Sequence, residues 1–353
     1  MKLLVTGGCG FIGSAVVRMA ISRGHEVTNL DALTYAANPA NLASVESDRR
    51  YHFIRADLRN LDATQAAVDA ARPDAILHLA AETHVDRSID APSVFVETNV
   101  NGTANLLQAA RAFRDRLPAD DRDEFRFLHV STDEVYGSLG ETGLFSETSP
   151  YQPNSPYAAS KAAADMLVRS WGKTYGLPVL ITNCSNNYGP CQFPEKLVPM
   201  VILSAIRGRP IPVYGSGTNV RDWLYVDDHA DALLRVLESG RCGEIYNIGG
   251  DAEMRNIDLV RQLCTLLDEA RPTTQSYSDL ITFVDDRPGH DHRYAIDAGK
   301  IDRELGWRPR TDPRTGLRNT VKWYLDHESW WQGILDNRYD QERLGAGPSA
   351  APQ

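Results

Sequence analysis

Lys2-Leu3-Leu4-Val5-Thr6-Gly7-Gly8-Cys9-Gly10-Phe11-Ile12-Gly13 carries a short apolar strand directly into a G-x-x-G-x-x-G turn, and Ala15, Val16, Val17 and Ala20 continue it as an apolar helix. Such glycines permit a tight strand-to-helix turn. They let a pyrophosphate approach the backbone of Gly7, Gly10, Phe11, Ile12 and Gly13, while the helix N-terminus favours its charge. Alone, the pattern is equally an ordinary glycine turn. Working outward, residues 25–30 read as a second strand ending in Asp31, at the separation expected of a carboxylate that bonds a ribose. A carboxylate there repels a 2′-phosphate, so NAD is expected rather than NADP. Residues 51–56 form a third strand, with Asp57 and Leu58 at its end placed to meet an adenine edge. Residues 74–81 form a fourth, with Ala80 and Ala81 at its carboxyl end, where ligands sit in open parallel sheets. Strands alternating with helices at this spacing predict the α/β class: a Rossmann-like doubly wound parallel sheet, with a smaller mixed α/β substrate-binding domain.

The pattern is helical over 92–116, and residues 125–130 make the next strand, which delivers Ser131-Thr132-Asp133-Glu134-Val135-Tyr136-Gly137 to the carboxyl edge of the sheet. A helix opens at Pro156-Tyr157 and runs to Tyr175, so Tyr157 and Lys161 share one face. Residues 179–184 are a sixth strand. The βα rhythm weakens beyond Asn186-Asn187-Tyr188-Gly189-Pro190. We therefore expect a dinucleotide-binding domain over 1–186, with 222–226 and 243–248 returning to its sheet, and a substrate-binding domain over 187–340. The helix at 313–328 is expected to be the last ordered element, with Trp330 and Trp331 as core and 341–353 as a disordered tail.

A tyrosine with an ordinary pKa of about 10 is a poor base at neutral pH. Lys161 and a positive nicotinamide ring would lower it, since opposite charge favours the phenolate. Two adjacent carboxylates, Asp133 and Glu134, suit an acid and a base whose environments push their pKa values apart. Alone, such a pair only caps or orients a loop. After a buried strand and upstream of Tyr157 and Lys161, it points to catalysis. Arg221 and Arg287 together suit a diphosphate, which guanidinium binds in a fork.

At 353 residues the chain is long enough for about two domains. A formal net charge of -10 argues against nucleic-acid binding, which needs Lys and Arg to neutralise phosphates. The cysteines at 9, 184, 191, 242 and 264 show no metal-ligand spacing and read as reduced thiols, and no apolar run is long enough to span a bilayer. No metal site is expected, and a cytoplasmic protein is.

Taken together these segments resemble the extended short-chain dehydrogenase/reductase family, in its dTDP-glucose 4,6-dehydratase branch. The resemblance also rests on Leu33-Thr34-Tyr35-Ala36, His84-Val85-Asp86-Arg87-Ser88, Phe193-Pro194-Glu195-Lys196-Leu197, Arg221-Asp222-Trp223 and Asp286-Arg287-Pro288-Gly289-His290-Asp291. Cys9 and Ala37 depart from the pattern, where Ala and Gly are expected. The resemblance implies NAD as cofactor, dTDP-glucose as substrate and a homodimer built on the helices at 92–116 and 157–175. It implies that Thr132, Tyr157 and Lys161 serve oxidation at carbon 4, that Asp133 and Glu134 serve elimination of water, and that Thr98 and Asn186 help hold NAD. It assigns to the substrate His84, Asn187, Glu195, Lys196, Leu197, Pro212, Tyr214, Arg221, Asn256, Arg287 and His290. The Asp133-Glu134 pair weighs against a 4-epimerase or decarboxylase on the same fold. An intact Thr132, Tyr157 and Lys161 weigh against a silent sugar-nucleotide sensor.

Overall fold

The computed structural model of the chain describes residues 1–286 and 289–337, so Arg287 and the tail expected at 341–353 lie outside the described residues. Strand β1 (Lys2–Thr6) is buried beyond its first residue and leads through the glycine turn into α1 (Phe11–Ser22). Strands β2 (Glu26–Asp31) and β3 (Tyr51–Arg55) follow, then α2 (Leu61–Ala71) and β4 (Ala75–His78). Helices α3 (Val85–Asp90) and α4 (Pro92–Phe95) lead by a wide π-turn over Val96–Asn101 into α5 (Gly102–Arg114) and α6 (Ala119–Glu124). Next come β5 (Arg126–Thr132), α7 (Pro156–Tyr175), β6 (Val179–Cys184) and β7 (Asn186–Tyr188). The later elements are α8 (Leu197–Ile206), β8 (Ile211–Tyr214), β9 (Val220–Tyr225), α9 (Val226–Ser239) and β10 (Ile245–Ile248). Strand β11 (Glu253–Arg255), α10 (Asn256–Ala270), β12 (Ile281–Val284), α11 (Gly299–Leu305), α12 (Pro313–Asp326) and α13 (Glu328–Asn337) complete the described chain.

Seven strands form one parallel sheet in the order β10-β6-β5-β4-β1-β2-β3. The order reverses between β1 and β4. That is the switch point at which a doubly wound sheet opens a crevice beyond its carboxyl ends. Central strands covered on both faces need apolar residues throughout, and Leu3, Leu4 and Val5 are buried between one cluster with α1 and α9 and another with α2, α5 and α7. Strand β4 stops at His78. The Thr6 hydroxyl takes the amides of Leu79 and Ala80 at 3.2 Å each, and this steers the chain across the glycine turn.

One expectation is corrected. Residues 222–226 do not return to the large sheet, because β9 lies between β7 and β11 in a separate three-stranded sheet. The returning strand is β10, whose Ile245–Ile248 align with Ile181–Cys184. Strand β9 feeds α9 instead, and α9 packs on α1 over the sheet. A second core gathers α8, α10 and α12 around Val201, Leu263 and Tyr324. The end of the chain is also corrected, since α13 follows α12 and buries Trp331 in that core. Trp330 is half-buried and donates its indole N–H to Asn41 Oδ1 at 2.8 Å.

Candidate active site

A cavity of about 330 Å³ lies at the switch point, and the glycine turn forms its floor through Gly7, Gly10, Phe11, Ile12 and Gly13. Gly7 has φ +72°, and a Cβ there would stand 2.8 Å from the Ala80 backbone. At Gly13 a Cβ would stand 2.1 Å from the Gly7 carbonyl oxygen. The turn therefore tolerates no side chain at either position, and it presents backbone amides at the N-terminus of the twelve-residue α1. Asp31 closes one end. Its two oxygens accept the Cys9 and Leu33 amides at 2.9 and 2.8 Å, and burial pushes its pKa up. Asp57 and Leu58 lie in the same wall, with Asp57 paired to Arg59 at 2.6 Å and its carboxyl held below the usual range by that pair. Ala80, Ala81, Thr98 and Asn186 complete the walls. The buried Asn186 Oδ1 accepts no bond among the described residues, leaving an acceptor for a bound group. A bare glycine floor, a fixed terminal carboxylate and an unused buried acceptor fit a dinucleotide.

At the other end of the cavity, β5 terminates in Thr132, and Asp133–Tyr136 make one 3₁₀ turn. The Thr132 hydroxyl caps that turn, accepting the Glu134 amide at 3.3 Å and donating to Asp133 Oδ1 at 3.3 Å. The cap points the two carboxylates differently. Glu134 is half-buried in the cavity wall, whereas Asp133 is 1 % exposed and lies beneath it. Burial, then the charges of Glu134 and Asp222, push Asp133 well above the usual carboxylate range. Its Oδ2 accepts no bond among the described residues.

Helix α7 brings in the remaining groups. Ser155 caps its N-terminus by accepting the Ala158 amide at 3.1 Å, and Pro156 takes the first position, where its missing N–H costs nothing. Tyr157 and Lys161 then face the cavity one turn apart. Burial and the Glu134 charge push the Tyr157 phenol well up, while the Thr132 hydrogen bond acts the other way. Within the protein alone, burial outweighs the influences that lower this phenol. The Lys161 ammonium donates to the Val130 carbonyl at 2.9 Å and lies 3.4 Å from His129 Nε2.

Asn187, Glu195 and Lys196 also line the cavity. Asn187 Oδ1 is 2.9 Å from His229 Nδ1, and Lys196 donates to the Thr83 carbonyl at 2.9 Å. His84, Leu197, Pro212, Tyr214, Arg221, Asn256 and His290 do not line it. His84 caps α3, and Leu197 opens α8. Pro212 and Tyr214 stand on β8, where the Tyr214 hydroxyl donates to Asp86 at 3.0 Å, and the His290 ring lies 6.2 Å from that of Tyr214. Asn256 opens α10 with a buried Oδ1 that accepts no bond among the described residues. Arg221 donates to the carbonyls of Val220 and Asp291 at 2.7 and 3.0 Å and lies over the Tyr294 ring, and its charge partly offsets the rise at Asp133.

Sequence reading gave no role to Glu82, which lines the cavity, or to Tyr35, which stands outside its lining and bonds the lining residue Glu195. Glu82 is held by its main chain, whose N–H and C=O both bond Asn99. Tyr35 donates to Glu195 Oε1 at 2.8 Å, and Arg87 stacks 3.8 Å over its ring while reaching Glu195 Oε2 at 3.3 Å. An aromatic four residues beyond the ribose carboxylate was the available signal for Tyr35.

A family model described as GDP-mannose 4,6 dehydratase matches residues 4–320. A probable dTDP-glucose 4,6-dehydratase of Sinorhizobium fredii is 57% identical over 98% of this chain and 99% of its own. The dTDP-glucose 4,6-dehydratase 1 of Escherichia coli is 53% identical over 96% of this chain and 97% of its own. Among solved structures, the dTDP-glucose 4,6-dehydratase DesIV of Streptomyces venezuelae, solved with NAD bound, is 47% identical, covers 95% of this chain and 100% of its own, and superimposes with a TM-score of 0.86. With relatives more than half identical along almost their whole length, the chain belongs to the dTDP-glucose 4,6-dehydratase family, in the nucleotide-sugar branch of the extended short-chain dehydrogenases/reductases.

Proposed function

We propose that this chain is an NAD-dependent hydro-lyase that converts dTDP-glucose to dTDP-4-keto-6-deoxyglucose by oxidation at carbon 4, elimination of water across carbons 5 and 6, and hydride return to carbon 6. One observation carries this reading: Glu134 lines the cavity together with Tyr157 and Lys161, and directly behind it the fully buried Asp133, bonded by Thr132, is held toward its neutral form.

When bound, NAD supplies the hydride acceptor for carbon 4, the hydride for carbon 6 and a positively charged ring. The glycine turn, Asp31, Asp57, Leu58, Ala80, Ala81, Thr98, Lys161 and Asn186 would hold it. Tyr157 takes the proton of the 4-hydroxyl, and Thr132, on the same side, steadies that oxygen. The 4-ketone acidifies the hydrogen at carbon 5. Glu134 removes that proton, neutral Asp133 donates one to the departing 6-hydroxyl, and once hydride has returned to carbon 6 the acid Glu134, exchanged with solvent, gives a proton back to carbon 5. Asn187, Glu195, Lys196 and the residues around Arg221, Tyr214 and Asn256 bind the sugar nucleotide. In this reading the lobe of the large sheet serves NAD, and the residues beyond 186 serve the substrate. A 4-epimerase needs no acid beside its base, so the Asp133-Glu134 pair favours dehydration.

The free thiols suit a reducing cytoplasm, and no helix among the described residues is long and apolar enough to cross a membrane. Val94, Val96 and Met166 are exposed on α4, the π-turn and α7, which suits a homodimer through those helices. Incubation with dTDP-glucose in heavy water tests the reaction. Loss of one water with deuterium at carbon 5 is expected, and a 4-epimer free of solvent deuterium would overturn it.

A further inference from the structure

Behind the cavity, α7 turns Lys161 and Asp165 toward the sheet, one helical turn apart and 4 % and 0 % exposed. Asp165 Oδ2 accepts the Ser131 hydroxyl at 2.8 Å, and Oδ1 stands 3.1 Å from His129 Nε2. That same ring nitrogen is 3.4 Å from the Lys161 ammonium. One imidazole nitrogen thus sits between Lys161 and Asp165, whose carboxyl burial pushes up to about 6 while Lys161 first and then Ser131 act to lower it, so that the carboxyl is charged at neutral pH. Facing the ammonium, that nitrogen accepts from Lys161, while Asp165 Oδ1 accepts no hydrogen bond among the described residues and acts on both by its charge. An ammonium in so dry a place needs a counter-charge, or it sheds its proton.

The other groups packed around the pair do not provide one. From β4, the His78 ring lies tilted 5.2 Å from that of His129, and burial keeps both rings neutral. From β6, Asn183 and Thr182 carry no charge, and burial holds the Cys184 thiol protonated. Tyr151 and Tyr136, which face Asp165 from the connection between β5 and α7, are pushed up by burial and stay neutral. Asp133 is held toward its neutral form, and Glu134 acts on Tyr157 and Cys184. Lys161 itself is pulled down by burial and pushed back up by Asp165 first.

We propose that Asp165 is a positioning residue for the reaction, the buried counter-ion that, with Ser131 and His129, keeps Lys161 charged at the cavity wall. The assignment rests on the functional reading above, in which Lys161 works beside Tyr157. A charged Lys161 favours the phenolate against burial and the Glu134 charge. Losing Asp165 removes that help as pH rises.

The test compares the NAD-loaded protein with Asp165→Asn and Ser131→Ala. Two readouts are followed against pH: the Cε resonance of Lys161 in lysine-labelled protein, assigned with Lys161→Met, and the absorbance of reduced nicotinamide after mixing with dTDP-glucose. In Asp165→Asn, Lys161 is expected to titrate about one pH unit lower or more, and the alkaline limit of bound-NAD reduction to fall by the same interval, about tenfold at fixed pH. Ser131→Ala, which strips one donor from Asp165, should move both the same way by less. Unchanged Lys161 titration in both variants, with only the rate reduced, would overturn the proposal. If Asp165→Asn does not fold, the Lys161 resonance in Ser131→Ala decides it alone. If the unaltered protein reduces no NAD with dTDP-glucose, the functional reading fails, and the resonance still decides the role of Asp165.

Discussion

Asp133 and Glu134 are neighbours in the chain and differ in depth, because one 3₁₀ turn capped by Thr132 sends the first inward and the second into the cavity. Glu134→Gln should still allow reduction of bound NAD. It should lower product formation and deuterium incorporation at carbon 5 by about 10²–10⁴-fold, the usual contribution of a positioned base. Full dehydration by this variant would remove Glu134 from its role. Asp133→Asn should accumulate reduced cofactor, since elimination loses its acid. It carries a second signature in stability. The folded pKa of Asp133 is raised, so its contribution is fully present below its unfolded value of about 3.9 and is lost as pH rises through the folded value. Asn is not subject to that loss. The variant should melt higher than the parent at neutral pH, with the gap closing below about pH 4, and a gap that did not change with pH would refute the buried-acid assignment. The residue types and spacing of the pair were legible in the sequence. Their depths were not, since both carboxylates follow the same apolar strand and only the Thr132 cap separates them.

At the scale of elements, the alternation of apolar strands and helices and the glycine turn were enough to read the large sheet, because parallel strands covered on both faces must be apolar throughout. The placement of β9 was not readable. Its Trp223 and Leu224 suit either sheet, and the choice is made by pairing with β7 and β11, far away in sequence. The π-turn at Val96–Asn101 was hidden for a similar reason. It coincides with Asn99 bonding the Glu82 main chain and the Ser160 hydroxyl, contacts that no local pattern announces. Helix α7 was read at both ends. Its Ser155 cap lies two residues ahead of Tyr157, so it holds the helix and the phenol together. Ser155→Ala should cost about 0.5–2 kcal/mol in urea unfolding and lower kcat while NAD stays bound. Loss of stability with kcat intact would show that Tyr157 is held by its packing alone.

At the scale of the molecule, the cavity lies between two bodies of structure that are tied across its mouth. Tyr35, in the loop after β2, and Arg87, on α3, both close on Glu195, in the segment leading to α8. Lys196 ties the same segment to the Thr83 carbonyl, and Trp330 ties the last described helix to Asn41. Sequence could show that Tyr35, Arg87 and Glu195 exist, but residues 35 and 195, 160 positions apart, are brought together only by the tertiary fold. We expect a bound dinucleotide to leave by parting of the loop after β2 from the segment before α8, so that each bond between them should slow release. In Tyr35→Phe, the buried Glu195 carboxylate loses its closest donor and keeps Arg87. The bond lost joins a hydroxyl to a charged group, worth about 1.5–3 kcal/mol when intact. The variant is expected to keep its fold and to exchange bound NAD for labelled NAD roughly ten- to a hundredfold faster, if most of that energy holds the mouth closed. An exchange rate equal to the parent's, in a variant that had lost stability by the same amount, would show instead that the bond fastens the two bodies together without governing passage through the mouth.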